Sequence, residues 1–218
     1  MINWADIDAV FLDMDGTLLD LHFDNFFWLE YVPEAYAKKE GKTVEEVKPY
    51  LLMLMKKAEG TLDWYCLDYW TRLLEIDIVS LKREIDHLIE MRPQAQAFLE
   101  ALHASDKRVY LMTNAHHDAI DLKVEKALSS HYFDDLVTSH QFGHAKESQA
   151  FWHCLEEALD YDPARTLFID DSKHVLESAR EYGIGHLLWV SRPDMRKPAR
   201  HDDDFPMLHN FEDIMAGL

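Results

Sequence analysis

The sequence predicts an α/β fold in which a doubly wound parallel sheet carries an inserted all-helical cap domain. After Arg92 and Pro93, short apolar stretches alternate with helical stretches, which is typical of a parallel sheet with helices on both faces. The first strand-like stretch, 9–12, and the second, 109–112, lie about ninety-six residues apart, whereas a parallel crossover needs only a dozen or so. A further unit must therefore lie between these two strands.

The segment between these strands has the pattern of several consecutive helices. Thr43 and Glu46 match a capping box at the start of the second helix. The expected helices span residues 23–40, 44–59, 62–74 and 80–89. We predict two domains, a helical cap at 19–91 and a core formed by 1–18 and 92–218.

The remaining elements complete the predicted core. Its later helices are expected at 94–104, 118–128, 147–159 and 174–182, and its later strands at 108–112, 136–139, 166–169 and 186–190. The stretch 191–206 holds three prolines and the acidic run Asp202, Asp203 and Asp204. We expect this stretch to be irregular and exposed, and the acidic run to be a solvated loop and not a metal site.

The composition indicates the cellular compartment in which the protein is expected. The 218 residues are 48% hydrophobic, with no apolar stretch long enough to cross a bilayer and no charged-then-apolar start, so we expect a cytoplasmic protein without membrane contact. Cys66 and Cys154 are the only cysteines and form no CxxC pair, which fits a reducing compartment. Among 13 histidines there is no HExxH motif, so we expect no histidine-bound zinc.

The net charge limits the classes of partner that the protein is expected to bind. The net charge is −19, from 22 basic and 41 acidic side chains, which disfavours nucleic acid polymers. A small phosphate ester is still compatible, because Mg²⁺ and a lysine can reverse the field locally. The sequence contains no indication of the oligomeric state.

The run VFLDMDGTLL, residues 10–19, places two carboxylates directly after an apolar strand. Ligands of open α/β sheets bind at the carboxyl ends of strands, and residues i and i+2 share a strand face, so Asp13 and Asp15 are expected in one pocket. Their crowded charges call for a cation, and oxygen ligands favour Mg²⁺. The alternative is local, with Asp13 capping a helix and Asp15 forming a turn with Gly16.

Three later strand-like runs also end in polar residues. RVYLM leads into Thr113 and Asn114, the third strand leads through FGHAKES to Lys146, and TLFI leads into Asp170 and Asp171. Taken singly, the first pair could be a helix cap and the lysine an exposed loop residue. Four strand ends in this order favour one shared site.

These ordered motifs resemble the haloacid dehalogenase-like superfamily of phosphohydrolases, and within it the bacterial GMP/IMP nucleotidases. The similar segments are LDMDGTLLDL, FDNFFW, TLDWYCLDYW, TNAHH, FGHAKE and RTLFIDDS. The resemblance implies a Rossmannoid core and Mg²⁺-dependent hydrolysis of purine 5′-monophosphates. The expected partner is therefore a purine mononucleotide.

The resemblance also implies roles for the motif residues. Asp13 is expected to be the nucleophile that forms an aspartyl phosphate, and Asp15 the general acid and base. Phosphoryl oxygens are expected to be bound by Thr113, Asn114 and Lys146. The expected metal residues are Asp13, Asp15 through its backbone carbonyl, Asp171 as a direct ligand, and Asp170, which orients Lys146 or a metal-bound water.

The inserted segment is rich in aromatic residues, in two clusters. One comprises Phe26, Phe27, Trp28 and Tyr31, and the other Trp64, Tyr65, Tyr69 and Trp70. These rings could stack on a nucleobase or form the internal core of the cap. The polar residues Asn25, Asp63 and Asp68 could contact a purine edge, but their spacing does not select among them.

Three other functions remain compatible with parts of the pattern. A broader phosphatase acting on sugar phosphates would use the same motifs. A 2-haloacid dehalogenase would use the same nucleophile but would need neither Mg²⁺ nor an acid at the position of Asp15. A binding module without catalysis is the third alternative, although all the expected catalytic side chains are present.

Overall fold

The computed structural model describes residues 2–201 and 203–218. In this part of the chain, six strands form one parallel sheet in the order β3-β2-β1-β4-β5-β6. They are β1 (Ala9–Leu12), β2 (Arg108–Thr113), β3 (Asp135–Thr138), β4 (Thr166–Asp170), β5 (His186–Val190) and β6 (Met207–Leu208). The strand order reverses at β1, so the chain winds outward from this strand in both directions, and the carboxyl end of β1 is central.

Helices cover both faces of the sheet, as the alternation of side chains along β1 shows. Val10 and Leu12 belong to one buried cluster, together with residues of α7 (Ala95–His103) and α8 (His117–Lys126). Ala9 and Phe11 belong to the opposite cluster, with α10 (Gln149–Ala158) and α11 (Lys173–Tyr182). The short helix α9 (Ser139–Phe142) follows β3 directly. The predicted α/β class with a doubly wound parallel sheet is confirmed.

Between β1 and β2 the chain is helical, and we refer to residues 19–91 as the helical insertion. It contains α1 (His22–Phe26), α2 (Val32–Glu40), α3 (Val44–Ala58), α4 (Leu62–Tyr65), α5 (Leu67–Leu74) and α6 (Ile78–Glu84). A π-helical turn, Phe27–Tyr31, makes α1 and α2 continuous, and the predicted capping box of Thr43 and Glu46 begins α3. Apolar residues of the insertion share a buried cluster with one face of the sheet, so the insertion packs directly on the core.

The two chain segments that connect the insertion to the core pair with each other. Leu19 and Met91 form an isolated antiparallel bridge. The backbone N–H of Asp20 donates to the carbonyl of Glu90 at 2.9 Å, and that of Arg92 donates to the carbonyl of Leu18 at 2.9 Å. Both ends of the insertion therefore leave the core at one point.

Three sequence-based expectations differ from the structure. The helix predicted at 62–74 is interrupted at Cys66, whose backbone is extended. The helix predicted at 80–89 begins earlier, at Ile78, because Asp77 caps it, and it ends at Glu84, before a separate 3-10 turn at Asp86–Leu88. The stretch 191–206 is irregular but not uniformly exposed, since Asp194 and Phe205 are buried. Asp202 lies outside the described residues. No helix in the described part of the chain combines the length and apolarity needed to cross a membrane.

Candidate active site

A cavity of about 330 Å³ lies at the carboxyl ends of the central strands, beneath the helical insertion. All seven predicted site residues line it, namely Asp13, Asp15, Thr113, Asn114, Lys146, Asp170 and Asp171. The insertion contributes further lining residues, including Trp28, Leu29, Met55, Trp64, Tyr65 and Lys82. The four strand-end motifs therefore meet in one cavity that both parts of the chain form.

Lys146 lies at the centre of the polar floor of this cavity. Its ammonium donates to Asp13 Oδ1 at 2.7 Å, to Asp170 Oδ2 at 2.7 Å and to the carbonyl of Met112 at 3.0 Å. These three acceptors match the three donors of the ammonium group, which is buried. Burial opposes the charged form, but the carboxylates of Asp13 and Asp170 outweigh it and raise the pKa of Lys146.

The backbone around Lys146 explains why this loop lysine is buried. Its N–H donates to Asn114 Oδ1 at 2.9 Å, and its carbonyl accepts from Trp152 Nε1 at 3.0 Å. Gly143 ends α9 in a left-handed conformation, with φ of 72°. The loop is therefore fixed against β2 and α10, and it directs the side chain inward.

Three carboxylates surround one position that suits a cation. One oxygen each of Asp13, Asp170 and Asp171 lies within 4.8 Å of the others. Asp13 Oδ2 is buried and has no hydrogen-bond partner among residues 2–201 and 203–218. Burial raises the pKa of Asp13 to about 7, that of Asp170 to about 6 and that of Asp171 to about 7. A hard divalent cation fits this oxygen set, because it would offset the buried negative charge.

Gly16 and Arg200 both lie against Asp171. The backbone φ of Gly16 is +85°, and a Cβ atom at this position would lie 2.7 Å from Asp171 Cγ, so only glycine fits without displacement. Arg200 donates to Asp171 Oδ2 at 3.1 Å and to its carbonyl at 3.0 Å. Sequence reasoning missed Arg200, because the stretch that carries it has no regular pattern.

Asp15 takes part in a chain of ion pairs that the sequence did not reveal. Its Oδ1 lies 2.7 Å from Lys123 Nζ, Lys123 lies 2.7 Å from Asp24 Oδ2, and Asp24 Oδ1 lies 2.6 Å from Lys82 Nζ. Both lysines are only 2% exposed. We refer to these four residues as the ion-pair chain. It joins the β1 motif, α8, α1 and α6, and thus the core and the helical insertion.

Burial raises the pKa of Asp15, whereas the two lysines outweigh burial and lower the pKa of Asp24. One signal for Lys123 was present in the sequence. It follows Ala119 and Ile120 by four and three residues, so it lies on the same helix face as these buried residues. A lysine on an apolar helix face needs a buried partner.

Thr113 ends β2 at the cavity wall, and Asn114 follows it. The Thr113 hydroxyl accepts from the backbone N–H of Ala115 at 3.0 Å. The Asn114 amide nitrogen donates to Glu147 Oε2 at 2.9 Å, and Glu147 Oε1 accepts from the Tyr65 hydroxyl at 2.6 Å. Glu147, which sequence reasoning also missed, therefore contacts both the core and the insertion.

The aromatic residues of the insertion divide into two roles. Trp28, Trp64 and Tyr65 line the cavity. Phe27 and Trp70 are fully buried in the apolar cluster, where Trp70 packs against Trp28 with ring centroids 5.3 Å apart. The remaining aromatic residues of the two clusters do not line the cavity; these are Phe26, Tyr31 and Tyr69.

The three polar residues considered for contact with a purine edge also differ in position. Asn25 lines the cavity but donates to Asp194 Oδ2 at 2.8 Å, and Asp63 does not line it. Asp68 Oδ2 lies 3.8 Å from Nε2 of His116, a residue that lines the cavity and directly precedes α8. His116, His117 and Asp118 are a second group whose ligand atoms lie within 4.8 Å of one another.

Comparison with known proteins agrees with this geometry. A family model described as haloacid dehalogenase-like hydrolase matches residues 7–183. The chain is 41% identical over 217 residues to the GMP/IMP nucleotidase YrfG of Escherichia coli strain K12, covering 100% of this chain and 98% of the relative. It is 23% identical over 194 residues to the phosphorylated carbohydrates phosphatase of Thermotoga maritima, covering 84% and 85%.

A solved structure gives the same result for the fold. The HAD phosphatase from Thermococcus onnurineus superposes with a TM-score of 0.77 at 20% identity, covering 95% of this chain and 96% of that one. All the residues predicted for the site fall within the range that the family model matches. The resemblance found in the sequence motifs, and with it the prediction of an enzyme, is confirmed. The chain belongs to the haloacid dehalogenase-like hydrolase family.

Proposed function

We propose that the protein is a Mg²⁺-dependent phosphomonoesterase that hydrolyses the purine 5′-nucleotides GMP and IMP through an aspartyl-phosphate intermediate. The observation that carries the proposal is the state of Asp13. Lys146 holds one of its carboxylate oxygens, and the other is buried and has no hydrogen-bond partner among the described residues, at the floor of the cavity that Asp171 also lines. Such an oxygen is available to a cation or to phosphorus.

In the proposed reaction, Asp13 attacks the phosphorus of the 5′-phosphate, and the new O–P bond replaces the bond to the nucleoside oxygen. Protonated Asp15 gives its proton to that leaving oxygen. The carboxylate of Asp15 then takes a proton from a water molecule, whose oxygen attacks phosphorus and releases inorganic phosphate and free Asp13. Burial supports this role of Asp15, because it raises the pKa of a carboxyl group that must carry a proton.

Lys146, Thr113 and Asn114 are proposed to bind the phosphoryl oxygens. The carboxylates of Asp13 and Asp171 and the backbone carbonyl of Asp15 would hold Mg²⁺, which supplies positive charge against the phosphoryl group when bound. The contact of 2.7 Å between Asp170 and Lys146 supports an orienting role for Asp170. Sequence alone had left open whether Asp170 orients this lysine or a metal-bound water.

We propose residues 19–91 as a cap domain that selects the substrate. The insertion brings Trp28 and Trp64 to a cavity whose floor carries the proposed catalytic groups. Flat aromatic rings suit a purine base, and the nucleotidase from E. coli is 41% identical over the length of the chain. Cys66 and Cys154 are both free, which supports a reducing compartment such as the cytoplasm.

Phosphate release in the presence of Mg²⁺ tests this proposal. The substrates are GMP, IMP, AMP, pyrimidine monophosphates and common sugar phosphates, each with Asp13→Asn as the blank and with EDTA as the metal-free control. We expect the highest kcat/KM for GMP and IMP and no turnover in EDTA. A profile weighted toward sugar phosphates would favour the second candidate, a broader phosphatase, which the Thermotoga relative supports. Chloride release from 2-haloacids without metal would overturn the phosphatase chemistry.

A further inference from the structure

Glu147 connects the helical insertion with the proposed phosphate-binding residues. It directly follows Lys146, and each oxygen of its carboxylate accepts from a different part of the chain. Oε1 accepts from the Tyr65 hydroxyl at 2.6 Å, and Oε2 accepts from the Asn114 amide at 2.9 Å. We refer to Tyr65, Glu147 and Asn114 as the carboxylate bridge.

The bridge fixes the orientation of the Asn114 side chain. The amide oxygen of Asn114 accepts from the backbone N–H of Lys146 at 2.9 Å, and the amide nitrogen donates to Glu147. The amide plane is therefore held at both ends and cannot rotate without breaking a hydrogen bond. Glu147 accepts from one of the two N–H groups of this nitrogen, and the Asn114 side chain also contacts the Tyr65 hydroxyl at the wall of the cavity that both residues line.

The other end of the bridge belongs to the insertion. Tyr65 is the last residue of α4, lines the same cavity and is adjacent to Trp64. Withdrawal of Tyr65 would leave Oε1 of Glu147 without this donor. The loss would be costly, because hydrogen bonds to a carboxylate are stronger than those between neutral groups. The position of α4 and the orientation of Asn114 are therefore linked through the Glu147 carboxylate and through the direct contact between Tyr65 and Asn114.

We propose that Glu147 is a positioning residue that couples the placement of α4 over the cavity to the phosphate-binding orientation of Asn114. The phosphate-binding group is complete only when the insertion has brought Tyr65 to Glu147. This inference rests on the proposed function, because it assigns Asn114 to the phosphoryl group. It makes substrate selection by the insertion and phosphate binding by the core a single event.

Two conservative variants test the bridge. Tyr65→Phe removes only the hydroxyl, and Glu147→Gln keeps the shape of the side chain but removes its charge. We expect each to lower kcat/KM for GMP by about ten- to a hundredfold. We expect each to weaken inhibition by inorganic phosphate, the probe of the Asn114 site, by a similar factor. The double variant should resemble the worse single variant, because both changes break the same bridge.

Matched controls separate positioning from stability. Tyr50→Phe changes an exposed tyrosine of the same insertion, and Glu157→Gln changes an exposed glutamate of α10, next to which Glu147 lies. Both controls should retain wild-type kcat/KM and phosphate inhibition. If Glu147 only stabilises the start of α10, Glu147→Gln would lower the melting temperature and leave phosphate inhibition unchanged, which would overturn the inference.

The outcomes also distinguish this inference from the proposed function. If the wild type hydrolyses GMP and both bridge variants match it in kcat/KM and phosphate inhibition, the inference alone is wrong. Additive losses in the double variant would likewise contradict a single bridge. If the wild type prefers other phosphate esters, the purine assignment fails. The carboxylate bridge is then tested with the same variants, by measuring how inorganic phosphate inhibits hydrolysis of the preferred substrate.

Discussion

The proposed chemistry depends on the buried Asp13 oxygen, for which the described part of the chain offers no hydrogen bond. Replacement of Asp13 is the most direct test at the scale of one residue. Asp13→Asn keeps the shape of the side chain but removes the nucleophilic charge. We expect phosphate release to fall by about four orders of magnitude or more, with an unchanged circular dichroism spectrum. Asp121→Asn, at an exposed position of α8, is the control and should keep full activity. Turnover by Asp13→Asn with the same metal requirement would contradict the mechanism.

Gly16 gives a second test at one residue. A Cβ atom added there would lie 2.7 Å from Asp171 Cγ, so Gly16→Ala must displace the proposed metal-binding carboxylate. We expect Gly16→Ala to weaken Mg²⁺ activation by at least about tenfold. Gly41 is the matched control, because its φ is also positive, at +66°, but apart from its chain neighbours no described residue comes within 4 Å of its Cβ position. Equal Mg²⁺ requirements in the two variants would argue against metal binding by Asp171.

At this scale, sequence predictability depended on whether a residue belongs to a local pattern. Asp13, Thr113 and Asp170 follow apolar strands directly, and parallel strands bring such ends together whatever the details of packing. The roles of Glu147 and Arg200 depend on contacts with residues that lie 82 and 29 positions away in the chain. No local pattern marks such contacts, since the distance in space is set by the completed fold.

Among the elements, α8 connects the core and the insertion through Lys123 of the ion-pair chain. Lys123→Met should leave Asp15 and Asp24 without their shared cation in a buried setting. We expect the free energy of unfolding to fall by about 3 kcal/mol and kcat to fall by about tenfold or more. Denaturant unfolding and phosphate release measure the two effects.

Lys126→Met, on the same helix, is the matched control. Lys126 pairs with Asp86 at 2.8 Å, but its side chain is 38% exposed, so its loss should cost about 1 kcal/mol or less. Its kcat should match that of the wild type. Equal destabilisation by both variants would show that burial does not strengthen the role of Lys123.

Whole elements were predictable where their pattern is long and regular. The strands β1, β2 and β4 follow from continuous apolar runs, and α3 from its capping box and apolar spacing. The two-residue strand β6 was not predictable, because it is defined only by pairing with β5. The interruption at Cys66 was missed for a related reason. The helices α4 and α5 are both short and only Cys66 separates them, so their apolar residues are easily taken for one longer helix.

For the molecule as a whole, the buried carboxylates link stability to pH. In the metal-free protein, the pKa of Asp13 and that of Asp171 are raised to about 7. Between about pH 4 and pH 7 the folded state therefore binds more protons than the unfolded chain, and the contribution of these groups to stability falls as pH rises. The sign is the reverse of that for a carboxylate with a lowered pKa.

Two melting-temperature measurements check this linkage. In EDTA, Asp13→Asn should match the wild type at about pH 4 and exceed it at about pH 8, by about 1 to 3 kcal/mol in the free energy of unfolding. Mg²⁺ should raise the melting temperature of the wild type at about pH 8 and have little effect at about pH 5, because protons and the cation compete for the same oxygens. A Mg²⁺ effect that grows as pH falls would contradict this account.

The paired segments at Leu19 and Met91 have a consequence for how such a protein can diversify. Because the insertion leaves and re-enters the core at one point, the gap between its two ends is already closed by backbone hydrogen bonds. A short turn grafted there would leave the strand order intact, and so would an unrelated insertion. The junction is thus a suitable crossover point for chimeras. In such a chimera the core would supply the catalytic groups, and an insertion from another protein would select the leaving group.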